Sequence, residues 1–287
     1  MSLQFGYRPS FTIVFLRSFI RLFLRIFRLN DASSVLSNEF SQSLDPKLVT
    51  THHGSSLLWS VPNGRTAWRA RTFLSEEPLL SKWIFDHTSS NTVFLDVGSN
   101  IGTYSLYSLL LGSRFVYCCE LDPLNVSILY KNIVLNSFTD KALVLPFAAT
   151  SSSSVIDIHF RDLSSGDALQ SINRPSPFST RLGSCPHVSK HLSFSLDFIF
   201  KQFNLHPPTH IKVDVDGNEV NALRGMKTLL SSCSFLYIEF SNETMQDNIV
   251  CKSIIADSGL ILSDSMPIFS KNDKSVVGEN LLFRRLT

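Results

Sequence analysis

Two acidic residues and two glycines carry most of the chemical information in this chain. An apolar run at residues 93–97 contains Asp96 and stops at Gly98 and Gly102, after which an apolar segment with helical spacing begins. Glycines in such a turn let the backbone approach a ligand, and the following helix offers unpaired N–H groups to an anion. The spacing D-x-G-x-x-x-G differs from the G-x-G-x-x-G of dinucleotide folds. An acid here repels a pyrophosphate but suits a ligand with an ammonium and a sulfonium, which indicates S-adenosylmethionine.

A second acid, Glu120, closes the next predicted strand, residues 114–120. It stands about 20 residues after the glycine turn, the place from which doubly wound folds bind ribose hydroxyls. Asp122 and Pro123 then have the residue types of a helix N-cap and first helical position. We therefore expect the cofactor to contact the glycine turn and the ends of the next two strands, through Asp96, Gly98, Ser99, Asn100, Gly102, Glu120, Leu121 and Ala148.

A third group of charged residues lies in the last third of the chain. Residues 210–216 alternate between apolar and charged side chains, which predicts a strand with Lys212, Asp214 and Asp216 on one face. Burying unpaired charge is expensive, so at least one of these acids should lie at the carboxyl end of the strand, facing the ligand. Glu239 closes the following predicted strand. Asp216 is also suited to capping the next helix, and the acids together suit a divalent cation, although no chemistry in the sequence demands a metal.

Length and composition limit the class of protein. The 287 residues suit one α/β domain plus an extension, and a hydrophobic content of 44% is ample for a core. The net charge of +2 gives no drive toward nucleic acid. The five cysteines include no C-x-x-C pair, which favours a reducing compartment and a cytoplasmic location.

The first 60 residues differ in composition from the rest. Residues 1–30 hold five arginines and no acid, and on a helix four of these arginines form a stripe opposite Phe, Leu and Ile side chains. Such a segment, residues 11–29, suits peripheral contact with a membrane, an organellar transit peptide, or a helix packed on the domain. Residues 31–60 are polar and are predicted to be a linker or loosely packed arm. We therefore divide the chain into an extension, residues 1–60, and a domain, residues 61–287, with core motifs at 93–260.

Two arginines precede the first core motif. If residues 68–73 are extended, Arg69 and Arg71 share a face. They would then either hold a carboxylate or hydroxyl-rich substrate or pair with the acids at positions 76 and 77. The Glu77-Pro78 pair is predicted to open a helix.

The middle of the chain breaks the alternation of strands and helices. Residues 151–198 contain two alternating apolar segments separated by prolines, which predicts an antiparallel excursion. Cys185, His187 and His191 have a spacing that offers three metal ligands. A structural zinc site usually needs a fourth ligand in a rigid frame, so we predict no metal site.

The motifs together resemble the FkbM family of S-adenosylmethionine-dependent methyltransferases. The matching segments are LDVGSNIGTYSL at 95–106, CELDPLNVSILYKNIVLN at 119–136, SLD at 195–197, HIKVDVDGNEVNALRGMKTLL at 210–230 and LYIEFS at 236–241. The most specific part is the I-K-x-D-x-[DE]-G-x-E block combined with the D-x-G-x-N-x-G loop. The family usually has Glu where this chain has Asp216, and commonly Ala where Ser99 stands.

The resemblance implies an α/β, Rossmann-like class I methyltransferase fold: a seven-stranded, mostly parallel sheet with flanking helices, its last strand antiparallel, plus the N-terminal helical extension. It implies methylation of a hydroxyl on a sugar, glycan or small molecule. Such a reaction needs alignment of the reacting atoms, exclusion of water and a base near the hydroxyl. Asp214 and Glu239 are the first candidates for that base, followed by Lys212 and Asp216. The alternatives are a nicotinamide-dependent oxidoreductase and a non-catalytic membrane-tethered scaffold; the acceptor and oligomeric state stay open.

Overall fold

The computed structural model describes residues 46–168, 170–173, 186–270 and 274–286, and six helical positions among the first 30 residues. The strands are β1 (Lys47–His52), β2 (Ser55–Ser60), β3 (Val93–Val97), β4 (Phe115–Cys119), β5 (Ala142–Leu145), β6 (Ala148–Ala149), β7 (Ser154–Phe160), β8 (Ser171–Ile172), β9 (His187–Phe194), β10 (His210–Val213), β11 (Phe235–Ser241), β12 (Leu260–Phe269) and β13 (Val276–Arg285). The helices are α1 (Gly64–Glu76), α2 (Pro78–His87), α3 (Thr103–Leu110), α4 (Pro123–Leu135), α5 (Leu196–Gln202), α6 (Glu219–Arg224), α7 (Lys227–Ser232) and α8 (Met245–Asp257), with a 3₁₀ turn at Asn242–Thr244.

A seven-stranded sheet forms the centre of the protein. Its strand order is β12-β13-β11-β10-β3-β4-β5, and β13 alone runs against the other six. The chain order reverses between β3 and β10, so a crevice opens outside their carboxyl ends, where open α/β sheets bind ligands. The predicted fold class, including the antiparallel last strand, is confirmed.

Two apolar layers cover the two faces of this sheet. All five residues of β3 are buried, as expected for a central parallel strand. One layer contains the inward faces of α6, α7 and α8, and the other contains those of α1 to α4. Because both faces are covered, the carboxyl edge of the sheet is where polar side chains can reach a ligand.

The N-terminal part of the domain begins earlier than the sequence indicated. Residues 47–60, expected to be a linker, form the hairpin β1–β2, because alternate residues of β2 face the core. Leu57 and Trp59 are completely buried in the apolar layer that α1 to α4 form on one face of the sheet. Two side-chain oxygens of α4 and its C-terminal end also hold β2. Asn136 Oδ1 accepts a hydrogen bond from the backbone N–H of Leu58, and Asn132 Oδ1 accepts one from the backbone N–H of Ser60.

The segment carrying Arg69 and Arg71 is helical, so the condition under which the two arginines would share a face, an extended segment at residues 68–73, is not met. Asn63 starts α1 with a capping box, in which its side chain accepts the backbone N–H groups of the first helical turn. The predicted helix opening at Glu77-Pro78 is confirmed, since α2 begins at Pro78.

Three further bounds differ from the sequence-based expectations. The strand predicted over residues 210–216 ends at Val213, so Asp214 and Asp216 lie in the loop that follows β10. Helical spacing of apolar residues predicts one helix over residues 218–230, but the structure divides it into α6 and α7 at Gly225. Gly225 packs so closely against the backbone of Thr150 that a Cβ would lie 1.9 Å from the Thr150 carbonyl oxygen. The apolar run at residues 142–148 predicts one strand, and the structure divides it into β5 and β6.

The antiparallel excursion is confirmed as a small separate sheet of order β6-β9-β7-β8. His187 and His191 lie on β9, and Cys185 lies outside the described residues. Within the described parts of the chain, no cluster of three or more His, Cys, Asp or Glu side chains is arranged to hold a metal ion.

The predicted N-terminal helix is described at only six positions. Phe15, Phe19, Leu22, Phe23 and Ile26 are helical and exposed, between 47% and 65% of each residue's surface. The arginines of the predicted stripe lie outside the described residues. In the part of the chain that the structure describes, no helix is long and apolar enough to span a bilayer.

Candidate functional site

The glycine turn after β3 is held by close packing against two neighbouring elements. Gly98 and Gly102 both have positive φ, 83° and 88°. A Cβ on Gly98 would lie 1.8 Å from the carbonyl oxygen of Asp214, and one on Gly102 would lie 2.5 Å from the Leu129 side chain. The sequence analysis explained these glycines by the approach of a ligand. The structure shows that they are required first for the turn to fit against the end of β10 and against α4.

Asp96 is completely buried below this turn. Ser105 of α3 donates a hydrogen bond of 2.6 Å to its Oδ2 atom, and Lys212 forms an ion pair of 3.2 Å with Oδ1. Through these contacts Asp96 ties the glycine turn and α3 to β10.

Glu120 lies at the end of β4, beside the same turn. Its carboxylate accepts backbone N–H groups from Asn100 at 2.7 Å and from Asp122 at 2.8 Å. Burial is the main reason that its pKa is raised to about 7. The Asn125 side chain also bonds this carboxylate. An ionised carboxylate has about four acceptor positions, so one remains for a ligand hydroxyl.

The other residues predicted to contact the cofactor surround this pair. The Ser99 hydroxyl donates to the carbonyl oxygen of Cys119 at 3.4 Å, which fixes the turn to β4. Leu121 and Ala148 meet in one apolar cluster between the small sheet and the end of β4. The structure thus brings together all eight residues predicted for the cofactor along the ends of β3, β4 and β5.

A segment that the sequence analysis missed covers the glycine turn. Asn100 Nδ2 donates to the carbonyl oxygen of Asp167 at 2.7 Å, and the buried Asp167 carboxylate forms ion pairs with Arg65 and Arg161. Arg69 donates from Nε to the carbonyl oxygen of Gly166 at 2.7 Å. These contacts join residues far apart in the chain, so no local pattern indicated them.

Lys212 is the centre of the charged cluster at the end of β10. Its side chain is 2% exposed, donates to the carbonyl oxygen of Gly98 at 3.2 Å and forms ion pairs with Asp96 at 3.2 Å and Asp214 at 3.4 Å. Burial alone would lower its pKa, but the nearby carboxylates, Asp96 first and then Asp214 and Glu77, outweigh burial and raise it. Lys212 therefore stays protonated and cannot act as the base for which it was a second candidate.

The two carboxylates favoured by the sequence analysis do lie side by side. Val213 is paired with Ile238, so Asp214 and Glu239 stand at the next positions of neighbouring strands. Asp214 is 29% exposed at the crevice. Burial, followed by the charges of Asp214 and Glu77, raises the pKa of Glu239 well above its ordinary value.

Asp216 lies farther along the same loop, in a left-handed conformation with φ of 51°. The suggestion that it caps the following helix is wrong, because Asn218 is the N-cap residue. The side chain that bonds the backbone of this loop is Glu219, whose Oε1 atom accepts a hydrogen bond of 2.9 Å from the backbone N–H of Gly217.

Glu77 joins this cluster from the opposite wall, and the sequence analysis gave it no site role. Tyr237, on β11 opposite Lys212, donates its hydroxyl to Glu77 Oε2 at 3.4 Å. Burial and then the charge of Asp214 raise the pKa of Glu77 to about 7, while Lys212 opposes them. An acid just before a helix-opening proline is typical of a helix cap, and the sequence therefore predicts a side chain that bonds the first helical turn. Only the tertiary structure shows that the Glu77 carboxylate points into the protein instead.

Comparison with known proteins supplies the family. The model of the "Methyltransferase FkbM domain" matches residues 96–254, which is more than half of the chain. The hexuronic acid methyltransferase AglP of Haloferax volcanii is 26% identical over 195 residues, 67% of this chain and 73% of that protein. A solved FkbM methyltransferase from Methylobacillus flagellatus KT is 18% identical with a TM-score of 0.44, over 67% of this chain and 44% of the other. A putative methyltransferase structure from Streptococcus mutans is 10% identical with a TM-score of 0.48, over 83% and 55% of the two chains.

Proposed function

This chain belongs to the FkbM methyltransferase family, and we propose that it transfers the methyl group of S-adenosylmethionine to a hydroxyl oxygen of a sugar or glycan. Family membership makes it a methyltransferase. The relative from Haloferax volcanii, which by its name acts on a hexuronic acid, supports a sugar acceptor.

The residues at the ends of β3 and β4 fit this cofactor. Glu120 has an acceptor position left for a ribose hydroxyl, and Leu121 with Ala148 offers an apolar surface to the adenine. The N-cap of α3 is Gly102, which provides no side-chain cap, so the first turn of α3 can donate N–H groups to the carboxylate of the methionine part. We propose that Asp96 acts indirectly, by holding the turn that Gly98, Ser99 and Asn100 form.

One observation favours a hydroxyl over a carboxylate as the methyl acceptor. Asp214, Glu239 and Glu77 converge on the end of the sheet that continues the cofactor crevice. Acids gathered in this way disfavour an anionic nucleophile, whereas carboxyl groups can exchange hydrogen bonds with a neutral hydroxyl. We propose that Asp214, held by Lys212, orients the acceptor, and that the neighbouring Glu239 also bonds the acceptor hydroxyl.

The bound cofactor supplies an activated methyl group on a positively charged sulfur. The protein must then hold the acceptor oxygen in line with that methyl group, exclude water and receive the hydroxyl proton. The carboxylates at the ends of β10 and β11 and on the opposite wall are the groups available for the last task.

Two experiments test the proposal. Calorimetric titration of the full chain with S-adenosylmethionine and with NADH separates a methyltransferase from a nicotinamide enzyme and from a scaffold that binds neither. Incubation with isotopically labelled S-adenosylmethionine and a panel of hexoses, hexuronic acids and their glycosides tests the acceptor. A methyl ether survives mild alkali and a methyl ester does not. Label that is lost in alkali from every methylated sugar would contradict a hydroxyl acceptor.

A further inference from the structure

The position of Glu77 is that of a helix cap, but its side chain does not cap. It is the N-cap residue of α2, with Pro78 in the first helical position, and the structure shows no hydrogen bond from its side chain to the helix. Its backbone carbonyl oxygen accepts from Ser81, while its carboxylate turns inward to the Tyr237 hydroxyl at 3.4 Å. An N-cap acid normally stabilises its helix by about 1 kcal/mol. Here the carboxylate is directed to the crevice instead.

Glu77 is surrounded by charged and titratable groups from every element packed against it. These groups are Arg69 from α1, Tyr104 from α3, Lys212 and Asp214 from the end of β10, and Tyr237 and Glu239 from β11. The Tyr104 hydroxyl donates to the carbonyl oxygen of Phe73 at 2.9 Å and also lies beside the Glu77 carboxylate, where it lowers the pKa of Glu77. The Glu77 carboxylate is therefore in contact with two tyrosine hydroxyls, Tyr104 and Tyr237, and is not engaged in capping α2.

The three carboxylates at this edge are not equivalent. Asp214 forms an ion pair of 3.4 Å with Lys212, so a cation already engages its carboxylate. Burial, followed by the charges of Asp214 and Glu77, raises the pKa of Glu239 well above its ordinary value. Glu77 accepts a hydrogen bond from Tyr237 at 3.4 Å, and burial raises its pKa to about 7, near the value at which a general base is most effective at neutral pH.

We propose that Glu77 is the catalytic base, which accepts the proton of the acceptor hydroxyl. The assignment rests on the proposed hydroxyl acceptor. The acceptor oxygen forms its bond to the methyl carbon as the bond from that carbon to sulfur breaks, and the bonding electrons remain on sulfur. The hydroxyl proton passes to the Glu77 carboxylate. One sulfonium and one carboxylate thus become a neutral thioether and a neutral carboxylic acid, which later releases its proton to water.

Glu77 lies outside the segment that matches the family model, residues 96–254. It belongs to the α1–α2 corner, which packs against the face of the sheet that carries Tyr237. The base and the two other acids of the site therefore come from different parts of the chain. This arrangement allows the base to change without changing the cofactor motifs.

The test compares Glu77→Gln with Glu76→Gln, which changes the exposed neighbouring acid at the end of α1. On a sugar that the wild-type protein methylates, Glu77→Gln should lower kcat about a hundredfold or more, while Glu76→Gln keeps the wild-type rate. Affinity for S-adenosylhomocysteine and the melting temperature should stay at the wild-type level in both variants. Glu77→Asp, which retains the acid, should recover part of the rate.

The pH profile separates a base from a structural role. In the wild type, kcat at saturating S-adenosylmethionine should rise with pH, reach half of its maximum near pH 7 and level off above it, and this ascending limb should be absent in Glu77→Gln. A Glu77→Gln variant with a wild-type rate, or with an unchanged ascending limb, would overturn the assignment and leave the proposed function intact. If the wild type binds S-adenosylmethionine but methylates no hydroxyl of the panel, the proposed function fails, and the assignment of Glu77 fails with it.

Discussion

The two halves of the crevice are constructed in opposite ways. The half around the glycine turn comes from a continuous segment, residues 96–122, and its acid Glu120 is bonded by backbone N–H groups. The half around Lys212 draws its charged side chains from positions 77 to 239, and these interact mainly with one another. The first half depends on local backbone geometry, and the second depends on how distant elements pack.

This difference separates two properties of the enzyme. A site made of backbone groups and one acid can be kept constant for a common cofactor. A site made of side chains from several elements can vary with the acceptor. Lys212 joins the halves, because it contacts Asp96 below the turn and Asp214 at the acceptor edge. Changes at Lys212 should therefore affect both halves, and changes elsewhere should affect only one.

Replacing Lys212 should have the largest effect. Lys212→Met leaves Asp96 buried without its ion-pair partner, which costs on the order of 3–5 kcal/mol of folding free energy. Chemical denaturation should show this loss, and cofactor affinity and turnover should fall together. The matched change Lys82→Met removes an exposed lysine paired with Asp86 and should cost less than about 0.5 kcal/mol. A folded, fully active Lys212→Met protein would show that the two halves are independent.

Replacing Asp214 should affect the acceptor half alone. Asp214→Asn removes the carboxylate that orients the acceptor and should lower kcat by about a hundredfold, with S-adenosylmethionine affinity nearly unchanged. Steady-state kinetics on a methylated sugar and calorimetry measure the two quantities. Asp157→Asn, at an exposed ion pair of the small sheet, is the control. If Asp214→Asn lowered S-adenosylmethionine affinity as much as it lowered kcat, the result would contradict the separation of a cofactor half from an acceptor half.

Replacing Glu120 should affect the cofactor half. Glu120→Ala removes the acceptor of a ribose hydroxyl, a loss of about 1.5–3 kcal/mol, so S-adenosylmethionine should bind roughly tenfold or more weakly. Calorimetric titration is the measurement, with the exposed Asp140→Ala as control. An unchanged affinity would contradict the assignment of this acid.

Removing the first 30 residues should have the smallest effect on either half. We propose, from the arginine stripe in the sequence and from the exposed Phe15, Phe19 and Ile26, that residues 11–29 contact a membrane surface peripherally. The truncated protein should keep its melting temperature and cofactor affinity but lose binding to vesicles rich in anionic lipid. Vesicle binding by the full chain should weaken as salt rises. Precipitation of the truncated protein would indicate instead that this helix packs on the domain.

Much of the fold was predictable because its patterns are short. The bounds of β3 match the prediction, and those of α2, β4 and β11 are within a few residues, because apolar periodicity, prolines and glycines determine them locally. The hairpin β1–β2 was not predictable, because most of its residues are polar and only two side chains, Leu57 and Trp59, are completely buried in the core. Two apolar residues are too few to distinguish a strand from a linker. Helix α1 was missed because its capping residue, Asn63, is also typical of a turn.

The candidate site was predictable only in part, for a related reason. Asp96, Glu120 and Asp214 stand at strand ends that the sequence reveals, so their common edge followed from the order of the elements. The role of Asp96 did not follow, because its burial below Lys212 depends on the pairing of β3 with β10.

By itself the sequence determined the α/β class, the glycine turn, the acids that close the strands and the family, since each depends on residues near one another in the chain. The tertiary structure alone decided that the pKa values of Lys212 and Glu239 are raised and that the Glu77 carboxylate turns inward to Tyr237. These properties depend on burial and on charges brought together from distant segments. Such electrostatic interactions vary with distance and with exposure to water, and neither quantity can be read from the order of residues.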